Sequence, residues 1–221
     1  MTEAGGTVAT PTAKRTQTVS APISTRGRRT RDAIIRAARE VFEEKGFDET
    51  RIADITTRAD TAYGSFYTYF DSKEAVFREL ARDLSAAIFT ASRASDLPDA
   101  SPEDKIRHTT RLYLETFAEN ARLMSVFEQV AARDEYFRTL LLEVRGMFVD
   151  RIAGGTRRLQ EQRLAEPGLD PVTCAHLLGG MIENIGRMMY TYGERHDLDH
   201  LLDEATALWA RAIGLRPGPA G

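Results

Sequence analysis

Cysteine is almost absent from this chain: Cys174 is the only one in 221 residues. A single thiol excludes a disulfide framework and a cysteine-based zinc site. Cys174 lies in an apolar helical run and reads as a small core residue. Histidine is scarce too. His108, His176, His196 and His200 do not show metal-ligand spacing on one helix face, and the four-residue pair His196/His200 straddles a loop-to-helix boundary. Neither a glycine-rich phosphate loop nor a nucleophile elbow is present. We therefore expect no metal, no cofactor and no enzymatic activity. Long apolar runs are also missing. The longest, around 172–192, is interrupted by Glu183 and Arg187, short of the roughly 18 uncharged residues of a membrane helix. The N-terminal stretch lacks the apolar core of a secretory signal. The expectation is a cytoplasmic protein with no membrane partner. Alternating β-branched residues, the signature of a half-buried sheet, are likewise not found.

The net charge of −3 argues at first against nucleic acid, but its distribution does not. Residues 1–70 carry 11 Lys/Arg against 9 Asp/Glu, whereas residues 71–221 carry 19 against 24. Before residue 32, Lys14, Arg15, Arg26, Arg28, Arg29 and Arg31 face only Glu3. A basic arm ahead of a helix can reach phosphates or a minor groove. Residues 1–25 are dominated by Thr, Ala, Ser, Gly and Pro. Such a segment buries too little apolar surface to offset its ordering entropy, and disorder is expected.

From Arg28 onward the pattern is helical. Ile34, Ile35, Ala38, Val41 and Phe42 share one face, and Lys45-Gly46-Phe47 reads as a helix end, with Gly46 at positive φ and Phe47 folded back. A short helix follows with Ile52, Ile55 and Ala59. Another, from Lys73, buries Val76, Phe77, Leu80, Ala81, Leu84 and Ile88. After the loop 95–104, separate helices are expected around 106–117 and 123–130. A longer helix carries Phe137 to Ile152, weakened or kinked by Gly154-Gly155 and fading near Gln162. Pro171 starts a helix over 171–192, and the last runs from about Asp197 to Ile213. The fold class is all-α, with about nine helices.

The most telling stretch is 50–74, TRIADITTRADTAYGSFYTYFDSKE. It reads as two short helices joined by a tight turn, followed by a third opened at Asp71-Ser72-Lys73. Phe66 and Phe70, four apart, can pin the middle helix to its neighbours. Tyr63, Tyr67, Thr68 and Tyr69 are left to point elsewhere, offering hydroxyls to phosphates and apolar surface to thymine methyls. Gly64 lets another backbone come close. Lys73 at the first position of a helix opposes the helix dipole, a cost that a bound phosphate would remove.

Residues 30–75 resemble the DNA-binding domain of the tetracycline-repressor (TetR-type) bacterial regulators. The residues that carry the likeness are Ile34-Ile35-Arg36-Ala37-Ala38, Val41-Phe42, Lys45-Gly46-Phe47, Thr50, Asp54-Ile55, Arg58-Ala59, Gly64, Phe66-Tyr67, Tyr69-Phe70 and Ser72-Lys73-Glu74. The resemblance implies a recognition helix with Thr61, Ala62, Tyr63, Gly64 and Ser65 in the major groove. It implies phosphate contacts at Tyr67, Tyr69 and Lys73, and Thr50 and Arg51 near the backbone. The basic arm around Arg28 and Arg31 would reach an adjacent groove. This chain also departs from the family pattern. Asp60 replaces a common turn glycine, Ala62 a capping serine and Tyr63 a lysine. Arg51 replaces a small hydroxyl residue, which should remove a capping box with Asp54. The recognition helix holds no Arg, Lys, Asn or Gln for bidentate base contacts. Readout should lean on Tyr63, Ser65, thymine methyls and DNA shape, and replacing Tyr63 should relax base preference.

The resemblance organises the chain as a disordered arm (1–25), a helix-turn-helix domain (26–75) and a helical effector-binding and dimerisation domain (76–216). It implies a homodimer through the last two helices, on a palindromic double-stranded DNA operator, released by a small ligand. The large, adaptable side chains Phe89, Tyr113, Phe117, Met124, Phe127, Met147, Phe148, Met181 and Met188 are the candidate pocket walls, which suggests a hydrophobic ligand. Asn184, Glu183, Arg187, His108 and Gln129 are candidates for its polar contacts. The competing reading is a DNA-binding or interaction protein with no small-molecule effector. A tightly packed middle domain would favour it.

Overall fold

The computed structural model describes residues 24–91, 97 and 99–216. The disordered arm expected over 1–25 lies outside them up to residue 23. Eight helices make up the described residues: α1 (Thr25–Glu49), α2 (Ile52–Arg58), α3 (Tyr63–Phe66), α4 (Lys73–Ala91), α5 (Pro102–Ala131), α6 (Glu135–Glu161), α7 (Pro171–Tyr190) and α8 (Leu198–Ala212). There are no strands among them.

Local chemistry starts and stops these helices. The side chains of Ser24, Ser101, Asp134, Asp170 and Asp197 each accept a backbone N–H three residues on, at 2.8–3.2 Å. This satisfies donors that the first turn of a helix leaves orphaned. Pro102 and Pro171 follow two of those caps, where a missing N–H costs nothing. In α1 the regular helix breaks at Gly46 (φ 77°, ψ 172°), and Phe47 folds back to stack on Phe42 with ring centroids 5.6 Å apart.

Two expectations are corrected. The helices foreseen around 106–117 and 123–130 are one, α5, which accounts for eight helices instead of nine. The polar residues Glu119, Asn120 and Arg122 that interrupt the apolar pattern mark no break. Here α5 meets α1: Arg39 Nη2 donates to Asn120 Oδ1 at 2.9 Å and to the Glu119 carbonyl at 3.4 Å. Nor do Gly154-Gly155 kink α6, which runs through them to Glu161. Glycine lowers helix propensity by about 1 kcal/mol, too little to break a 27-residue helix packed against α5 and α7.

α1, α2 and α3 close over Ile34, Ala38, Phe42, Ile55 and Phe66, all essentially inaccessible to solvent. α4 joins this head to the body, so the expected boundary at 75/76 falls inside a continuous helix. The head's core continues without interruption into the body. Phe42 and Phe77 rings lie 5.0 Å apart, Phe77 and Phe137 5.1 Å, and Phe127 and Phe137 6.2 Å, linking α1, α4, α6 and α5. A second core joins α5, α7 and α8 through Leu114, Ile182, Leu202, Trp209 and Ile213.

Candidate nucleic-acid interface and cavity

α2 is held in place by charge on the α1 side. Arg58 donates to Glu40 at 3.0 Å and to Glu44 at 2.8–2.9 Å. The guanidinium bond holds the Glu44 carboxyl below its ordinary range. At the start of α2, Asp54 accepts the Arg51 backbone N–H at 3.0 Å and Lys45 Nζ at 2.9 Å. The lysine first, then the backbone bond, lowers the Asp54 pKa. Half of the capping box thus survives. Arg51 has no acceptor for its own half, but the reciprocal bond from Asp54 does not need one.

The turn between α2 and α3 is a Schellman motif. The Thr61 N–H bonds the Thr56 carbonyl at 3.0 Å and the Asp60 N–H the Thr57 carbonyl at 3.2 Å. This geometry places residue 60 at positive φ, where glycine is favoured. Asp60 occupies it at φ 48°. The end of α6 repeats the motif with Arg163 at φ 61°.

α3 itself is a single turn. Phe66 and Phe70 are buried beneath it, and Ala62, Tyr63, Gly64, Tyr67 and Thr68 face solvent. Thr61, Ser65 and Tyr69 are half-buried. Tyr63 and Tyr67 are 54% and 48% exposed, an unusual waste of aromatic surface unless a partner covers it. Their hydroxyls lie 3.2 Å apart and their rings meet edge-on at 5.7 Å. That hydrogen bond, with some desolvation, raises the Tyr67 pKa and keeps its hydroxyl protonated. A Cβ built on Gly64 would meet nothing within 4 Å, so the backbone there is open to approach.

Three expected DNA contacts are committed elsewhere. Lys73 Nζ donates to the carbonyls of Phe47 (2.8 Å), Asp48 (3.1 Å) and Thr50 (3.0 Å) and sits 4.6 Å from the Phe47 ring. Its three protons are used, so it is not available to a phosphate. The helix dipole that it answers is the negative end of α1 rather than its own. Thr50 is 2% exposed and its hydroxyl donates to the Gly46 carbonyl at 2.6 Å. Arg31 lies within α1, paired with Glu79 and stacked 5.2 Å over Phe70. Arg28 is likewise on α1 and exposed, and so is Arg51 at the head of α2. The Lys73 and Arg31 commitments join residues 23 to 48 positions apart, beyond any helical period, whereas Thr50 to Gly46 is a local contact four residues apart.

Inside the body lies a cavity of about 770 Å³. Of the side chains expected to line it, Tyr113, Phe117, Met124, Phe127 and Phe148 do. Phe89, Met147, Met181, Asn184 and Met188 do not. Phe89 is taken up by Arg151, 3.6 Å over its ring, while Met147 and Asn184 face solvent. α7 turns Gly179, Gly180, Ile182 and Glu183 to the cavity, and Met181 packs on the α8 core instead. Of the polar candidates only Glu183 lines it; His108, Arg187 and Gln129 do not. The cations Lys105, Arg145, Arg151 and Arg158 line it unforeseen. On amphipathic helices they read as a solvated face, and only the tertiary arrangement sets them along the cavity wall, with Arg158 still exposed. Arg145 pairs with Glu183, and Arg187 reaches Glu128 at 3.4 Å and Glu183 at 3.5 Å. Burial, and next the Glu128 charge, pushes the Tyr113 pKa up to about 12.

Residues 34–80 match the family described as "Bacterial regulatory proteins, tetR family". The uncharacterized HTH-type transcriptional regulator YvdT of Bacillus subtilis (strain 168) is 47% identical over 53 residues, 24% of this chain and 27% of YvdT. The HTH-type transcriptional repressor DhaR of Mycobacterium sp. (strain GP1) is 31% identical over 121 residues, 52% of this chain and 59% of DhaR. The chain therefore spans well under two thirds of either curated relative. The fold is that of the fatty acid degradation regulator FadR from Bacillus halodurans, with a TM-score of 0.70 at 20% identity over 85% of this chain and 97% of that one. The family is one of transcription regulators, not enzymes. Residues 34–80 thus carry the helix-turn-helix of tetR-family regulators, and the described chain has the fold of a solved regulator of this kind.

Proposed function

We propose that this chain is a repressor that binds a palindromic operator as a homodimer and is released by a small hydrophobic ligand. The observation that carries the DNA half is the α3 face. Two exposed tyrosines, an unobstructed glycine backbone and the hydroxyls of Thr61, Ser65 and Thr68 surround two buried phenylalanines. Residues 26–75 are the reading head and 76–216 the effector and dimer part. Thr61, Ala62, Tyr63, Gly64 and Ser65 enter the major groove, Tyr67 and Tyr69 meet phosphates, and Arg28 and Arg51 flank them. With no bidentate reader on α3, base preference rests on Tyr63, Ser65 and groove shape.

The dimer is assigned to α7 and α8. Leu177 is 70% exposed, Leu208 50% and Val172 38%, an apolar surface that a second copy would cover. The cavity favours a ligand-responsive protein over an effector-free one, since cores pack without voids of this size. DhaR, a repressor by name, supports the sign of regulation. Selection of bound duplexes from a random pool tests the assignment. An inverted repeat is expected, its half-sites set one helical turn or more apart by the dimer. Absence of any enriched sequence would refute it.

A further inference from the structure

Many polar groups of the cavity wall are committed within the protein. Ser85, Thr109 and Thr156 each donate their hydroxyl to a carbonyl one turn back in their own helix, at 2.7, 2.8 and 3.1 Å. The carboxylates of the wall are neutralised in place. Arg145 pairs with Glu183, and Arg187 reaches Glu128 at 3.4 Å and Glu183 at 3.5 Å, so two cations face two anions. Arg151 donates to the Phe89 carbonyl at 2.6 Å and lies on its ring. Arg158 is exposed to solvent, where water and salt weaken its pull on any anion.

Tyr113 differs from the other hydroxyls. Its ring packs between those of Phe117 and Phe148, with centroids 6.1 and 5.7 Å away. Its hydroxyl hydrogen-bonds to none of the described residues, although the side chain lines the cavity. Burial holds the phenol protonated, with a pKa of about 12, so at neutral pH it is an O–H donor in an apolar wall. A donor desolvated without an acceptor is costly, and a ligand oxygen placed against it removes that cost.

The neighbouring charges decide what kind of oxygen this is. An anion would have to draw Arg145 or Arg187 away from Glu183 and Glu128, and a cation would have to draw those carboxylates from their arginines. Either leaves a charge unpaired away from water, which costs more than the new pair returns. A neutral acceptor disturbs neither pair. We propose that the cavity takes an apolar molecule carrying a neutral carbonyl group (a ketone, lactone or amide), whose oxygen accepts a hydrogen bond from the Tyr113 hydroxyl. The inference rests on the ligand-responsive reading above and specifies the polar group of its ligand.

Three probes on one ring system test it. The first, 2-acetylnaphthalene, carries the carbonyl; 2-ethylnaphthalene puts a methylene in its place, and 2-naphthoate a charged carboxylate. Calorimetry measures their binding to the full-length protein and to Tyr113→Phe, which keeps the ring contacts and loses only the hydroxyl. The ratio of ketone to hydrocarbon affinity is expected to fall by about fivefold or more in Tyr113→Phe, because the carbonyl is then desolvated with no donor. Hydrocarbon binding should change by less than about twofold, and naphthoate should bind the native protein about tenfold or more weakly than the ketone. A ratio unchanged by the substitution would overturn the role of Tyr113. Tighter binding of naphthoate than of the ketone, a comparison made on the native chain alone, would overturn the neutral class. If either happens while a probe still releases the selected operator, this inference falls and ligand response stands. If no probe binds or releases the operator, both fall.

Discussion

Replacing Lys73 by methionine separates a structural lysine from a phosphate contact. Methionine keeps the apolar stem against Phe47 but removes the ammonium. The Phe47 and Thr50 carbonyls, bonded at 2.8 and 3.0 Å in half-buried settings, then lose their donor. Each costs about 1 kcal/mol when left partly unsatisfied. The Asp48 carbonyl is exposed and water replaces the lysine there at little cost. Loss of the contact with the Phe47 ring at 4.6 Å adds about 0.5 kcal/mol, and freeing a partly buried charge offsets a similar amount. The net is about 2 kcal/mol of destabilisation, read as a fall in Tm of about 4–8 °C for a chain of this length. A phosphate contact would behave differently. Its removal from both protomers would lower the slope of log K against log salt by about 1.8 and leave Tm unchanged. Thermal melting and operator binding over a salt series give both readings. An unchanged Tm with a reduced slope would refute the structural role.

Three further outcomes follow from the same geometry. Asp60→Gly and Arg163→Gly relieve positive-φ strain in Schellman motifs, and each should raise stability by about 0.5–1 kcal/mol in urea titrations, whereas Asp60→Val should lower it by about 1 kcal/mol or more. Tyr113 has a folded pKa raised from 10.0 to about 12, so the stability it confers is complete below pH 10 and is lost as pH rises towards 12; alkaline unfolding should be steeper for the native chain than for Tyr113→Phe. Leu177→Arg places a charge on the exposed apolar face of α7, and sedimentation should show monomers of unchanged helicity with operator affinity reduced at least tenfold.

Much of the helical plan is legible in the sequence because it is local. The apolar spacing of Val76, Phe77, Leu80, Ala81, Leu84 and Ile88 announces the buried face of α4, and all six are buried. Gly46 and Pro171 mark an end and a start through their own backbone constraints. What the sequence hides is commitment at a distance. Lys73 looks like a lysine facing solvent at a helix start until its neighbours 23 to 26 residues away are in place. The cavity shows the same limit. Tyr113, Phe117, Met124, Phe127 and Phe148 could be named from size alone, but Met181, Asn184 and Met188 could not be excluded until α7 was rotated against α6 and α8. Composition identifies which side chains suit a pocket; only packing decides which face turns inward.

The aromatic core gives the cavity and the reading head a common mechanical element. Phe127 forms part of the cavity wall and lies 6.2 Å from Phe137. Phe137 in turn meets Phe77 at 5.1 Å and Phe47 at 6.5 Å, and Phe77 meets both Phe47 and Phe42. Phe47 is the residue whose carbonyl Lys73 caps, directly ahead of α2. Buried rings at native packing density cannot be displaced singly, because a gap of even 0.5–1 Å forfeits a quarter to a half of the dispersion energy on that side. A change in the shape of the cavity at Phe127 therefore presses on rings borne by α1, α4 and α6 together. Any occupant can act on DNA binding only through its differential affinity for the two arrangements of these helices. On the ligand-responsive reading proposed above, the shared core directs that difference to the joint between α1 and α2, which Lys73 ties to the start of α4.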